Sequence, residues 1–344
     1  MTQRMQAFVL KAYGNPESAS LMQVPLPEPT SRQLLVRVRA AGLNPVDFKT
    51  RRGDLKLVQR YRLPTVLGNE LAGEVVACGD QVQRFRVGDR VFARVDKSTM
   101  GAFAQFAVVD DDHAAVMPTS LDFATAAAIP LAGLTALQAL RDELRVASGQ
   151  RIFISGGAGG VGNFAIQIAK HLGAEVATTA SPKGMALVKQ LGADTVVDYT
   201  TQSPETMLSG FDGALDLIGG TALEQALAIV RPGATVVSVA GMPEPQTASK
   251  DLGRGLGLQA LFWAASFSLR KHARKHGVRY RYLFMHPSGE DLSKLAHLVD
   301  AGTLKVTIDS VYPFERIADA MFKLEAGHAK GKIVVTMPDD SGLA

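Results

Sequence analysis

The stretch Arg151-Ile-Phe-Ile-Ser-Gly-Gly-Ala-Gly-Gly-Val-Gly162 constrains the fold more than any other, because it joins a strand signal to a helix signal through a turn of glycines. Ile152, Phe153 and Ile154 make a short β-branched and aromatic run, whereas Val161, Ala165, Ile168, Ala169 and Leu172 recur at the spacing of one buried helix face. Between them Gly157, Gly159 and Gly162 stand at GxGxxG spacing. In that spacing the first glycine allows a tight turn, the second lets a pyrophosphate approach the backbone, and the third lets helix pack on strand. With Gly160 and Val161 completing the turn, the phosphates face a helix N-terminus. Glycines alone would suit any flexible loop; the strand before and the helix after favour a dinucleotide site.

The residues beyond that helix narrow the cofactor. Glu175 to Thr179 reads as the second strand, and a site for NAD would end it with an acid about 20 residues beyond the glycines, bonding the ribose 2′-hydroxyl. Here it ends Thr178-Thr179-Ala180-Ser181-Pro182-Lys183. A hydroxyl at Ser181 and an ammonium at Lys183, with no carboxylate to repel it, favour a 2′-phosphate, so NADP(H) is expected. Singly, Ser181 is a natural helix N-cap and Lys183 a natural solvated lysine; the missing acid is the stronger signal.

At 344 residues, 47% hydrophobic and 20% charged, the chain is expected to form two globular domains. Residues 1–124 carry short strand signals around Ala7–Leu10, Leu34–Ala40, Leu71–Ala77, Arg90–Ala93 and Ala102–Val109, separated by glycine and proline turns, and so read as a β-barrel-like unit. Ser120 to Leu144 turns helical and nearly all apolar, with Pro130 set to kink or split it. From 151 to about 287, strands at 152–154, 175–179, 195–198, 213–217, 235–239 and 281–285 alternate with helices, the pattern of a doubly wound parallel sheet. Helices at 291–301 and 314–325 and a strand from Lys332 are expected to return to the first domain. The fold class is therefore α/β, divided as 1–124 with 288–344, and 125–287.

Several classes drop out. A net charge of +4 and a pI near 9.1 suit anionic cofactors, yet only Arg270 to Arg281 clusters the basic residues, so nucleic acid is not implied. Cys78 is the only cysteine, which precludes an internal disulfide or a cysteine-built zinc cluster and suits a reducing compartment. Gly255 to Leu269 reads as the longest apolar stretch and is short for a bilayer span, so no stable membrane insertion is expected. The first residues lack a signal-peptide core, and a cytoplasmic location is expected.

Several ordered motifs carry a family resemblance: Gly42-Leu-Asn-Pro-Val-Asp-Phe-Lys-Thr-Arg51, Leu67-Gly-Asn-Glu-Leu-Ala-Gly73, Pro130-Leu-Ala-Gly-Leu-Thr-Ala136, Gly157 to Gly162, and Gly327-His-Ala-Lys-Gly-Lys332. The chain resembles the medium-chain dehydrogenase/reductases, in their zinc-free quinone oxidoreductase and alkenal/enone reductase branch, over nearly its whole length. The resemblance implies a GroES-like β-barrel catalytic domain, a Rossmann cofactor domain and an active site in the cleft between them. A catalytic zinc needs three protein ligands of Cys, His or carboxylate type. Alcohol-dehydrogenase relatives place a cysteine where this chain has Asn44 and a histidine where it has Asn69, so no metal is expected. Hydride transfer to a quinone or an α,β-unsaturated carbonyl needs none, provided donors stabilise the developing oxyanion.

Asn44 and Lys49 are the candidates for that role: Asn44 to hold the nicotinamide ribose or a substrate carbonyl, Lys49 to set an ammonium beside an enolate oxygen. Asp47 would orient Lys49 or Arg51 through an ion pair and is read as structural; Arg52 reads as solvated. The family's positions further imply Thr135 near the nicotinamide, Tyr199 near the adenosine 2′-phosphate, and Val239, Ala240 and Gly241 at a strand end facing the cofactor. Phe284 and Met285 would meet the nicotinamide carboxamide from the last sheet strand, whose edge is also a candidate for pairing in a homodimer. Each has a plainer role as helix, strand-end or turn residue. Lys330 and Lys332 are candidates for a cofactor contact, but lysines bracketing a glycine before a strand read rather as solvated. The stretch 252–281, with Phe262, Trp263 and Phe267, departs from the family pattern and is expected to line the substrate cleft or cover a dimer partner. No tyrosine is placed as a proton donor, so water is expected to supply the proton. A redox sensor or structural protein that binds NADPH with little turnover is the competing reading.

Overall fold

The strand signal at Ala7 extends to β1 (Arg4–Leu10), whose two faces feed two cores: Phe8 and Leu10 enter the main one, while Ala7 and Val9 pack with Met5, Ala104 and Phe106. It pairs antiparallel with β2 (Ala19–Pro25), a strand the sequence pattern did not single out. In the computed structural model, which describes residues 3–338, the chain continues through β3 (Gln33–Leu43), α1 (Pro45–Arg52), β4 (Thr65–Val66), β5 (Glu70–Cys78), β6 (Arg90–Arg94), β7 (Phe106–Asp110) and β8 (Ala114–Val116). The extreme ends of the 1–124 and 288–344 segments lie outside the described residues. Leu34, Val36 and Val38 of β3 are fully buried with Leu71, Val91 and Phe103, and each such side chain stabilises the unit by about 1.5–3 kcal/mol.

Asp122 caps α2 (Phe123–Ala126) by accepting the Thr125 N–H at 2.8 Å, and Pro130 opens α3 (Pro130–Gln138), so the long apolar run is split rather than kinked. A π-helical turn over Ala139–Glu143 completes it. This run, Phe123–Glu143, and not Gly255–Leu269, is the helical stretch long and apolar enough to cross a membrane among the described residues, and 78% of its most apolar 18-residue segment is buried within the protein. Core packing accounts for its apolarity.

Then come β9 (Arg151–Ile154), α4 (Gly160–His171), β10 (Glu175–Ala180), α5 (Pro182–Gln190), β11 (Thr195–Asp198), α6 (Pro204–Met207), β12 (Phe211–Asp216), α7 (Gly220–Ile229) and β13 (Val230–Ser238). The stretch 252–281 forms α8 (Leu256–Ala265), α9 (Phe267–Lys275) and most of β14 (Arg279–Tyr282). The six strands are all parallel in the order β11-β10-β9-β12-β13-β14, which reverses between β9 and β12, as in a doubly wound dinucleotide sheet. Phe153 and Phe211 meet edge-on at 6.4 Å in its core.

The chain closes with α10 (Gly289–Asp300), β15 (Ile308–Pro313), α11 (Ile317–Ala326) and β16 (Lys332–Thr336). β16 lies between β15 and β3, and Phe314 and Ile317 enter the first core. By internal contacts the chain divides into Met1–Leu134 with Pro287–Gly302 and Val306–Ala344, and Thr135–His286 with Thr303–Lys305. The break falls within α3 rather than at 124.

Candidate active site

In the β-rich unit the register of three strands assembles a buried polar cluster. Gly42 of β3 stands opposite Glu70 of β5, and Leu43 opposite Ile333 of β16, so the residues just beyond these pairs, Asn44, Asn69 and Lys332, come together. Asn44 caps α1 in a reciprocal box: its N–H donates to Asp47 Oδ2 at 2.7 Å, the Asp47 N–H donates to its carbonyl at 2.9 Å, and Pro45 follows where a missing N–H costs nothing. Its amide Nδ2 donates to Glu70 Oε1 at 2.6 Å while its Oδ1 accepts from Lys332 Nζ at 2.5 Å. Lys332 also donates to Glu70 Oε1 at 2.6 Å and to the Leu43 carbonyl at 2.9 Å. Glu70 Oε2 takes the Leu131 N–H at 2.6 Å.

Two expectations change here. Lys332 is 3% exposed, not solvated, because antiparallel pairing of β16 with β3 carries it into the interior beside Glu70. Asp47 pairs with neither Lys49 nor Arg51; its carboxylate takes the Asn69 amide at 2.5 Å. Burial pushes its carboxyl up to about 7, against the lowering effect of the Asn69 and Asn44 hydrogen bonds and of the Lys332 charge. Arg94, also buried, donates to the Asn69 carbonyl at 3.1 Å. Sequence reading missed Arg94 and the inward turn of Lys332, since neither is signalled by local spacing.

The cations of α1 separate by partner. Arg51 is buried, reaching Glu325 at 2.6 Å and the Gly14 carbonyl at 2.8 Å. Arg52, read as solvated, also pairs with Glu325. Lys49 is half-buried, and its ammonium makes no hydrogen bond or ion pair among the described residues.

In the parallel-sheet unit, the turn after β9 has Gly156, not Gly157, at positive φ (+69°), the region glycine adopts most readily. Gly157 and Gly162 serve close approach instead. A Cβ at 157 would meet Thr178 Oγ1 at 2.2 Å, and one at 162 would meet the Gly156 carbonyl at 2.4 Å. A Cβ at Gly159 would meet only the Gly156 carbonyl, at 3.4 Å, so this glycine answers to no protein neighbour and leaves room for a pyrophosphate at the start of α4, beside Gly160 and Val161. Asn163 braces the loop by donating to the Gly159 carbonyl at 2.8 Å. A buried knot not anticipated from the sequence ties three strand ends: Asp216 accepts the Ser155 and Ser238 hydroxyls at 2.9 and 2.6 Å and the Gly219 N–H at 3.0 Å.

Ser181 and Tyr199 come directly after the paired strand ends Ala180 and Asp198, which brings them to one edge with Lys183. Ser181 stands at the N-cap of α5 without a side-chain capping bond; Lys183 and Tyr199 are exposed. Asp198, the acid ending β11, is held by Thr200, whose hydroxyl and N–H bonds keep it below the usual carboxylate range. Val239, Ala240 and Gly241 form the turn after β13, with the N–H groups of 240 and 241 donating to Ser238 Oγ at 3.1 and 2.8 Å. Thr135 is buried in α3. Phe284 and Met285 lie beyond β14 rather than on it, because the Phe284 N–H turns away from the ladder to Asp251 Oδ2 at 2.9 Å.

The donor set does not fit the zinc of alcohol dehydrogenases. Asn44 and Asn69 offer amides, both already bonded, and the Glu70 carboxylate is committed to the Lys332 ammonium. Asp96, Asp110 and His113 also bring ligand atoms within 4.8 Å of one another, but Asp96 is taken by Ser98 and His113 sits against Asp110 and Asp112.

Residues 30–119 match the model of the alcohol dehydrogenase GroES-like domain and residues 191–335 that of the zinc-binding dehydrogenases. The chain is 35% identical to the NAD(P)H oxidoreductase RTN4IP1, mitochondrial, of Danio rerio, over 98% of this chain and 92% of that one. It is 34% identical to the NADPH-dependent alkenal/one oxidoreductase, chloroplastic, of Arabidopsis thaliana, over 96% of this chain and 79% of that one. The solved structure of the quinone oxidoreductase from Coxiella burnetii superposes with a TM-score of 0.84 at 30% identity, covering 98% of this chain and all of that one.

Proposed function

The chain belongs to the medium-chain dehydrogenase/reductases, in their quinone oxidoreductase and enone reductase branch, and from that premise we propose that this NADPH-dependent oxidoreductase reduces quinones or the double bond of α,β-unsaturated carbonyls without a metal ion. The observation that carries the reading is the Asn44–Glu70–Lys332 cluster, in which the Asn44 amide and the Glu70 carboxylate are both engaged by a buried ammonium and so are not offered to a metal ion. Oxidation of a zinc-bound alkoxide is disfavoured, since the donors at Asn44, Asn69 and Glu70 do not make a zinc site.

When bound, NADPH supplies the hydride. The chain's own residues hold and discriminate it: the α4 N-terminus and Gly159 receive the pyrophosphate, while Ser181, Lys183 and Tyr199 surround the 2′-phosphate. Lys49, without an ion-pair partner on a helix whose two arginines both pair with Glu325, stabilises the oxyanion that forms as hydride reaches the β-carbon of an enone. Asn44, committed at both ends of its amide, fixes the start of α1 and so the placement of Lys49. Water then protonates the enolate, or the reduced quinone oxygen. We also propose a cytoplasmic location, from the single free Cys78, and a homodimer that extends the sheet at β14, which pairs only with β13 among the described strands.

Steady-state NADPH oxidation against a panel of quinones and enones tests the reading. Saturable turnover on at least one class is expected. Intact NADPH binding with no turnover on any member would favour the sensor reading instead.

A further inference from the structure

Past β14 the backbone is fixed by groups that belong neither to the glycine loop nor to the Asn44 cluster. Arg281 is their hub. Its guanidinium is 5% exposed and meets three carboxylates: Glu143 at 3.0 Å from the π-helical turn, and Glu244 at 3.1 Å and Asp251 at 2.5 Å from the segment between β13 and α8. The same guanidinium donates to the Tyr282 carbonyl, which also accepts the Thr247 hydroxyl at 3.0 Å. With one oxygen on Arg281, Asp251 accepts the Phe284 N–H on the other, at 2.9 Å. Two residues on, the Gln138 amide clamps His286 by both its N–H and its carbonyl, at 3.1 and 2.9 Å. A buried ion cluster is weak evidence for stability, since apolar packing often does as well, so its alignment on one short backbone segment is the informative feature.

That segment leaves the carboxyl end of the outermost strand, on the half of the sheet opposite β10. A dinucleotide with its pyrophosphate on α4 and its 2′-phosphate at the end of β10 must extend its other nucleoside over β12, β13 and β14, since ligands of such sheets lie outside the strands' carboxyl ends across the reversal point. We infer that Arg281 is a positioning residue for the nicotinamide end of the cofactor, acting through Asp251 to fix the backbone at Phe284 and Met285. The inference rests on the reading of the chain as an NADPH enzyme and not on its substrate.

Binding therefore tests it, by calorimetry with NADPH and with 2′-phospho-ADP-ribose, which lacks the nicotinamide. In Asp251→Leu, which leaves Arg281 two carboxylates, the Kd for NADPH should rise roughly tenfold while that of the fragment stays within about twofold. Arg281→Lys, whose single ammonium cannot reach three carboxylates, should shift in the same direction. Asp251→Asn, which keeps an acceptor for the Phe284 N–H, should largely restore NADPH affinity. Equal weakening of both ligands, or of neither, overturns the proposal. Should the variants fail to fold, hydrogen exchange on the wild-type protein decides: NADPH should slow exchange at Phe284 and Met285 more than the fragment does, and equal protection overturns it. Loss of turnover on the substrate panel with this pattern intact would refute the substrate assignment alone.

Discussion

Lys332→Met is the sharpest perturbation of the buried cluster. The lysine places one ammonium against Glu70, Asn44 and the Leu43 carbonyl, and Glu70 is fully buried. Methionine keeps the apolar length but leaves the carboxylate with only the Asn44 amide and the Leu131 N–H as partners. Removing one member of a buried pair costs about 3–5 kcal/mol, because the remaining charge stays desolvated. Urea unfolding followed by far-UV circular dichroism measures this deficit. Adding Glu70→Gln should recover much of the loss. A single variant within about 0.5 kcal/mol of wild type, or a double variant no better than the single one, would refute the assignment of the pair.

Other perturbations probe the same geometry. Asp47, held protonated to about pH 7 by burial, binds more protons folded than unfolded between its ordinary value and 7, so it contributes a stability that falls as pH rises across that window. Its size is at most about 4 kcal/mol, and Asp47→Asn should flatten that slope in urea titrations; an unchanged slope argues against the raised value. NADPH should bind at least roughly tenfold tighter than NADH, and Lys183→Glu should reverse much of the preference; equal dissociation constants in the wild type would remove the 2′-phosphate assignment. Exhaustive chelation should leave activity and unfolding unchanged, and stoichiometric tightly bound zinc would contradict the donor analysis.

The features legible in the sequence were those that repeat locally. Ile152–Ile154, the glycines and the face of α4 announced the parallel sheet and its nucleotide loop because strand, turn and helix are adjacent in the chain. The buried cluster was not: Lys332 meets Asn44 across 288 positions, and only the register of β16 on β3 turns it inward. Likewise Asp216, Arg94 and Arg281 work through partners distant in the chain, and no spacing rule reports a carboxylate that binds two distant hydroxyls. Gly156 was overlooked because motif spacing marks which glycines recur, not which one takes the positive φ. The helices of 256–275 hid behind an apolar run broken by glycines and serines, where periodicity is weak.

The most direct test of metal-free reduction is the kcat of Lys49→Met on enones in chelator-treated enzyme. The substitution preserves much of the side chain's length while removing its charge and donors, so loss of one oxyanion donor should lower kcat by roughly 10²-fold or more with NADPH affinity nearly unchanged. Full kcat in the variant, or loss of NADPH binding in proportion to activity, would contradict the role assigned to Lys49 and with it the proposed chemistry.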